Sequence, residues 1–377
     1  MTSDTVRTAT TPCAYPGCNR AVWQDPDGSF SSYCGKTHRE AMAQLEGKKL
    51  CKKCNARPVY VQNGRVHDFC GIRCANAFRS GTPVPMSPRA SPAPSGNSIC
   101  GLPGCRRRVW TGRDGIPSQF CSNRHRRDAV RTGNAEGCLL CNQLPKAVVN
   151  GKLTDFCSKT CSLDAINAAP IILQVNRSHA EFYSVKRQFS EGWKHGTNVP
   201  AVVHVWKIYG EKGIYDKFAR YKLGVERRTS LKGGNTCRRW HGTVRACQLG
   251  NDDGMHELCR NPACSLCEII RSSFQLTRVG QRTNFGRFGA GIYTSATSSK
   301  ANDYVAEWGD SPYRAMLLSK VVMGKAIKLQ MGDQRLTKPP QGYDSVVGEP
   351  GGDLNYDESI VYTNEAIRPL FLVVYKP

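Results

Sequence analysis

The spacing of the cysteines in the first 161 residues constrains folding more than any other feature. Cys13-x4-Cys18 is followed, after fifteen residues, by Cys34-x3-His38, and Cys51-x2-Cys54 by Cys70-x3-Cys74 at the same interval. Both patterns recur 87 positions later, as Cys100, Cys105, Cys121 and His125, and as Cys138, Cys141, Cys157 and Cys161. An internal repeat this regular identifies a duplicated structural unit. Each unit offers four soft ligands, the number that tetrahedral structural zinc takes. A unit this small cannot bury enough apolar surface to fold alone, so the metal supplies its folding energy. Four zinc sites are expected.

Between ligand pairs lie Asp27-Gly28, Asn63-Gly64, Asp114-Gly115 and Asn150-Gly151, the dipeptides that favour tight hairpin turns. Helical stretches such as 123–130 follow the third ligand, so each unit reads as knuckle, hairpin and helix. Two ligands are expected on the first helical turn, where the helix dipole favours thiolates. Trp23 and Trp110 hold equivalent places in the repeat and are expected in the core under the hairpins. Arg106, Arg107, Arg108, Arg124, Arg126 and Arg127 are expected to face phosphates.

The chain has 377 residues, 53 Lys+Arg against 30 Asp+Glu and a net charge of +23. That balance favours a polyanionic partner, nucleic acid or another polymer of that kind. No apolar run approaches membrane-spanning length and the first thirty residues lack a signal-peptide core, so no membrane partner is expected. Nineteen cysteines in a chain expected inside the cell point to metal ligation rather than disulfides. Charge and fingers together favour the nucleus over the cytoplasm. The expected organisation is a finger pair over 1–79, a Pro/Ser-rich linker over 80–98, a second pair over 99–169 and a larger domain over 171–377.

The C-terminal half carries ordered motifs. Arg239-Trp240-His241-Gly242-Thr243 comes first, then Gly289-Ala290-Gly291-Ile292-Tyr293, then Ser299–Tyr304, then Asn355–Tyr362 with Asp357-Glu358 inside it. The glycines are read as room for a backbone passing close to a ligand. Tyr293 and Tyr304 are read as two rings around a slot for a flat, cationic heterocycle.

His-Gly-Thr, Gly-x-Gly-Ile-Tyr and Asp-Glu-x-Ile-Val-Tyr, in that order, resemble the catalytic domain of the poly(ADP-ribose) polymerase family, most closely its tankyrase-type members. The likeness spans roughly residues 180 to 377. It implies a mixed α+β fold, mainly antiparallel, and an ADP-ribosyltransferase that uses NAD+ as substrate. It also implies site roles. The Gly242 backbone would pair with the nicotinamide carboxamide, His241 would bond the adenosine ribose, Tyr293 and Tyr304 would sandwich the nicotinamide, and Thr243 and Lys300 would also bind NAD+. Glu358 would hold the nicotinamide-ribose hydroxyl, completing a His241–Tyr293–Glu358 triad. Ala301 departs from the family's usual serine, a loss on the order of 1 kcal/mol.

The turn Phe156–Cys161 is similar to FCS-type fingers, with variants at Tyr33, Phe69 and Phe120. His256-x2-Cys259-x4-Cys264-x2-Cys267 is expected to form a fifth zinc site, with Cys247 as an alternative to His256. The expected function is transfer of ADP-ribose to protein acceptors, with the fingers choosing the target. Alternatives are a weakly active NAD+- or ADP-ribose-binding adaptor, an NAD+ glycohydrolase, and a transferase acting on nucleic acid.

Overall fold

The computed structural model describes residues 99–110, 118–149, 151–280 and 286–377, together with isolated residues between 11 and 78. The chain divides into two compact units, Met1–Asn97 and Ser98–Pro377. In the first unit, short strands Val61–Gln62 and Arg65–Val66 pair antiparallel, and Val22 and Tyr33 are buried. Cys18, Cys51, Cys54, Cys70, Cys74, the linker 80–98 and three of the four turn dipeptides lie outside the described residues.

The second unit is a mixed α+β fold with two main sheets. The larger contains β1 (Ile171–Gln174), β2 (Ala201–Tyr209), β3 (Thr236–His241), β5 (Arg314–Val322) and β9 (Ile367–Lys376). Their spatial order is β1-β2-β9-β5-β3, antiparallel throughout. β9 lies at the centre and is apolar almost continuously, as a strand covered on both faces must be. Successive side chains divide between the faces. Phe371, Val373 and Tyr375 join one core with Phe182, Val185 and Phe189 of α3 (Ala180–Glu191). Leu372 and Val374 join the opposite core with Leu266 and Ile270 of α5 (Ser265–Ser272), which follows α4 (Lys212–Thr229) in the chain. The apolar positions of α3 recur three and four residues apart, one helical stripe.

The smaller sheet, in the order β6 (Ala326–Leu329), β7 (Ser345–Gly348), β8 (Glu358–Val361) and β4 (Ile292–Thr294), is antiparallel except for β6 with β7. Both backbone hydrogen bonds of a Trp240–Ser295 bridge, 2.7 and 3.0 Å, join it to the larger sheet. That seam lies next to His241 and just past Tyr293, so the two sheets meet where the motifs gather.

N-terminal to the sheets, α1 (Asn123–Arg131) follows the third cysteine unit. In the fourth, strands Val148–Val149 and Lys152–Leu153 pair and α2 (Lys159–Asn167) follows. Phe156, Leu139, Cys138 and Ala165 of this unit belong to the same apolar core as α3 and β9. The boundary expected near residue 170 falls within this compact unit, and contacts cross it.

Candidate active site

His241 ends β3, and its Nδ1 lies 2.9 Å from the Tyr293 carbonyl oxygen. A carbonyl only accepts, so Nδ1 carries the proton. Burial holds the imidazole below its ordinary pKa. The neutral ring therefore offers Nε2 as an acceptor. The Phe274 ring meets it edge-on at 5.0 Å.

Gly242 follows where the β3–β5 ladder ends at the Leu317–His241 pair, so its peptide has no partner strand there. A Cβ at Gly242 would collide with the Ala301 carbonyl. The neighbouring Thr243 carbonyl accepts from Ala306 N at 3.4 Å.

The glycines of the Gly289–Tyr293 turn differ from expectation in an informative way. Gly289 has φ +71, and a Cβ there would strike the Leu336 backbone; one at Gly291 would strike Ile360. The space they leave is filled by the chain itself rather than reserved for a ligand. They still aim Tyr293. Its hydroxyl donates to Gly289 O at 2.8 Å and accepts from Phe288 N at 2.9 Å, which fixes the ring against the turn that presents it.

Glu358 opens β8, whose next residues pair with β4 as Ile360 with Tyr293 and Ser359 with Thr294. Its side chain is 9% exposed, and Oε1 lies 3.7 Å from Lys300 Nζ on α6 (Ser298–Asn302). Its buried Oε2 has no hydrogen-bond partner among the described residues. Burial pushes its pKa up, against the opposing pull of Lys300 and Arg287. Lys300 Nζ also stands 5.4 Å from the centroid of the Tyr304 ring, which is half-exposed. Ala301, where a serine is usual in the family, is buried beside Trp240 in the α3-facing core.

Two supports are absent from the sequence reading. Asp357 accepts from Ser295 Oγ (2.9 Å), Ala296 N (2.8 Å) and Thr297 Oγ1 (2.8 Å), which ties the turn after Tyr293 to the residue before Glu358. Arg245 is fully buried and uses all five N–H groups: on Glu307 (2.7 Å), Leu249 O (2.7 Å), Asn251 (2.8 Å), Ser311 (2.8 Å) and Tyr313 O (2.8 Å). Strands Val244–Arg245 and Ala306–Glu307 pair in parallel, so Arg245 joins the wall bearing His241 and Gly242 to the one bearing Tyr304. The only sequence signal is a pair of opposite charges, each three residues beyond a motif residue.

Next along the chain, Cys247, Cys259, Cys264 and Cys267 bring their sulfurs within 4.8 Å of one another. His256, expected as first ligand, is exposed and turns Nδ1 to Asp253 O at 3.0 Å. Cys247, two residues past the strand Val244–Arg245, takes that place.

Three other clusters meet the same 4.8 Å limit: Cys100/Cys105/Cys121/His125, Cys138/Cys141/Cys157/Cys161, and Cys13/Cys34/His38. Sulfur–sulfur separations of 3.6 to 3.9 Å run through the clusters. A disulfide would need about 2.05 Å. The edge of a tetrahedron with roughly 2.3 Å metal–sulfur bonds is near 3.8 Å, so the donor sets fit zinc. Ser122 and Ser158 cap α1 and α2, accepting from His125 N and Cys161 N at 3.2 Å each. The fourth ligand thus lies on the first helical turn, while the third lies just before the cap rather than on the helix. Trp23 and Trp110 are 58% and 60% exposed, not core. Val22, the residue before Trp23, is buried, and Val109 before Trp110 is half-buried.

A family model of the poly(ADP-ribose) polymerase catalytic domain matches residues 262–351, which include Tyr293, Lys300 and Tyr304. The chain is 32% identical over 125 residues to protein mono-ADP-ribosyltransferase PARP4 of Mus musculus, covering 30% of this chain and 6% of that protein. It is 26% identical over 177 residues to protein mono-ADP-ribosyltransferase PARP3 of Homo sapiens, covering 46% of this chain and 27% of that one. The chain therefore spans only a minor part of these relatives. The matched stretch holds β4, β6 and β7 of the smaller sheet and ends before Glu358, whose strand pairs with that of Tyr293. Residues 262–351 accordingly carry the signature of a poly(ADP-ribose) polymerase catalytic domain.

Proposed function

We propose that this chain is an NAD+-dependent ADP-ribosyltransferase that modifies protein side chains. The carrying observation is the buried Glu358 Oε2 without a partner among the described residues, on the strand beside Tyr293. A buried carboxylate oxygen left unpaired is costly unless a ligand completes it, and a ribose hydroxyl has the donor it lacks. Tyr293 and Tyr304 would flank the nicotinamide and the Gly242 peptide would pair with its carboxamide. His241 Nε2 would accept from the adenosine ribose.

As the glycosidic C–N bond breaks, its electron pair leaves with the nicotinamide as a neutral ring. The positive charge developing on the ribose is stabilised by the fixed Glu358 carboxylate. A lone pair of the acceptor side chain then bonds the ribose carbon, and the acceptor's proton is released to water. The similar mammalian proteins are named as mono-ADP-ribosyltransferases, which supports a single transfer over polymer synthesis.

The test is zinc-loaded protein with radiolabelled NAD+ beside Glu358→Gln. A discrete labelled band in the wild type alone is expected. A high-mass smear means polymer, and loss of label on nuclease treatment means a nucleic-acid acceptor. Free ADP-ribose without labelled macromolecule means a glycohydrolase, and untouched NAD+ leaves a binding adaptor.

We further propose that the five cysteine clusters hold zinc, with Cys18 completing the first and Cys51, Cys54, Cys70 and Cys74 forming the second. Their FCS-like and tankyrase-like characters rest on motif spacing. The fingers would recruit a polyanion, nucleic acid first, in keeping with nuclear residence. Exposed Trp110 beside exposed Arg106, Arg107 and Arg108 supports this, since stacking plus phosphate contact is how single strands are gripped. Trp110→Ala should weaken single-strand binding, measured by fluorescence anisotropy, while leaving transfer to a free protein acceptor unchanged.

A further inference from the structure

The fourth cysteine unit has the ligand spacing of a recruiting finger, yet its structure is continuous with the transferase. Asp155, two residues before Cys157, accepts from Lys207 Nζ and from the Tyr209 hydroxyl on β2, both at 2.7 Å. Lys207 also reaches Glu181 on α3 at 2.6 Å. The Phe156 ring stands 5.3 Å from that of Tyr209. Glu136, two residues before Cys138, accepts from Ala180 N at 2.6 Å and pairs with the buried Lys146 at 3.0 Å.

The Ala180 bond matters because His179, the N-cap of α3, makes no side-chain cap of its own. Glu136 therefore does the capping from another unit, placing negative charge at the helix N-terminus. Leu139 N to Asp155 O (3.0 Å) and Lys146 N to Glu136 O (2.9 Å) show that the seam residues sit on the backbone the cluster folds.

The far end of α3 reaches the site. Ser298 Oγ donates to Phe189 O at 2.7 Å, and Ser299 Oγ accepts from Lys194 N at 2.9 Å. Those serines immediately precede Lys300. One helix thus has the fourth cluster at its start and the Lys300 helix at its finish. The third unit differs: its buried residues Cys100, Phe120 and Ala129 form a small core of their own.

We propose that the metal of the fourth cluster is a structural component of the transferase itself, holding Glu136 and Asp155 against α3 and β2. Its loss would loosen α3 and, through Ser298 and Ser299, the helix that presents Lys300. This rests on the reading of the cluster as a zinc site, but not on any particular reaction at the active site.

The test uses the full chain, with zinc content by mass spectrometry, hydrogen exchange, and calorimetric binding of a non-hydrolysable NAD+ analogue. Cys157→Ser/Cys161→Ser should lose one zinc and exchange about tenfold faster or more across 180–191 and 201–209, with weakened analogue binding. Cys121→Ser/His125→Ala should lose one zinc and leave those segments unchanged. Should the fourth-cluster variant fail to fold, Asp155→Ala keeps all four ligands and should still speed exchange in β2.

Unchanged exchange in both Cys157→Ser/Cys161→Ser and Asp155→Ala overturns the proposal. Wild-type protein with no zinc on this cluster overturns the metal reading, while exchange in Asp155→Ala still reports the seam. Analogue binding that survives loss of the fourth zinc also overturns the link to the site. Failure of the transferase reading would show instead as intact exchange coupling with no NAD+ turnover.

Discussion

Arg245 and Glu358 are both charged, both buried and both within one residue of a sheet pairing that shapes the slot, yet the chain treats them oppositely. Every N–H of Arg245 has a partner within 2.8 Å. Glu358 has Lys300 at 3.7 Å on one oxygen and no partner on the other among the described residues. A fully satisfied buried ion holds walls in place, whereas a half-satisfied one is held ready for something that arrives. The difference separates framework from chemistry without reference to any relative, and substitutions should move stability in opposite directions at the two positions.

The largest effect is expected at Glu358. Glu358→Gln keeps the shape and removes the charge that the proposed reaction sets against the ribosyl cation, so labelled transfer should fall by about 10²–10³-fold. Stability should rise. Burial raises the Glu358 pKa, so the folded state favours the protonated acid. That contribution is fully present below the ordinary carboxyl pKa and is lost as pH climbs through the raised value. Thermal melts of wild type and Glu358→Gln should therefore coincide near pH 4 and separate with rising pH, the variant melting higher. A variant that melts lower at pH 7.5 would sink the view that Glu358 is a strained ligand-ready group.

Arg245→Met should lower stability instead. Glu307 and the carbonyls of Leu249 and Tyr313 would lose a partner they cannot replace, a loss of roughly 3–5 kcal/mol for a broken buried pair. The melting temperature should drop by roughly 10 °C. Any activity that remains at low temperature should show a raised KM for NAD+ with kcat less affected, because the two walls are displaced while Glu358 is untouched. An unchanged melt would break the comparison outright.

The motif order that marks the site was legible because His241 ends a strand, Glu358 opens one and Tyr293 sits in a strand of three residues, where short local patterns are set. What positions them was not. Asp357 reaches Ser295 and Thr297 across sixty intervening residues, and Arg245 reaches Glu307 across a parallel pair; neither has a periodicity to betray it. The Gly289–Gly291 turn was legible as a turn, but its purpose depended on Leu336 and Ile360 arriving from elsewhere. His256 has the right local spacing for a ligand. The sheet nevertheless brings Cys247 to the cluster first, because Val244–Arg245 pairs with Ala306–Glu307 and ends there. The tryptophan expectation failed for a related reason: a unit this small has too little core to take in a ring of that size.

The smallest effects sharpen the contrast between the third and fourth cysteine units, whose local chemistry is alike. Ser122 and Ser158 make the same 3.2 Å cap bond, each to the backbone N–H of its cluster's last ligand. Replacing either serine with alanine costs about 1 kcal/mol of helix stability. If the two units differ only in what surrounds them, Ser122→Ala should speed amide exchange in 123–131 alone, because that unit has its own core. Ser158→Ala should speed exchange in 159–167 and, more weakly, in 180–191, because α2 and α3 share buried side chains. Equal confinement of both effects to their own helices would mean that the shared core carries no coupling at this energy. The fourth unit's tie to the transferase would then rest on Glu136 and Asp155 alone.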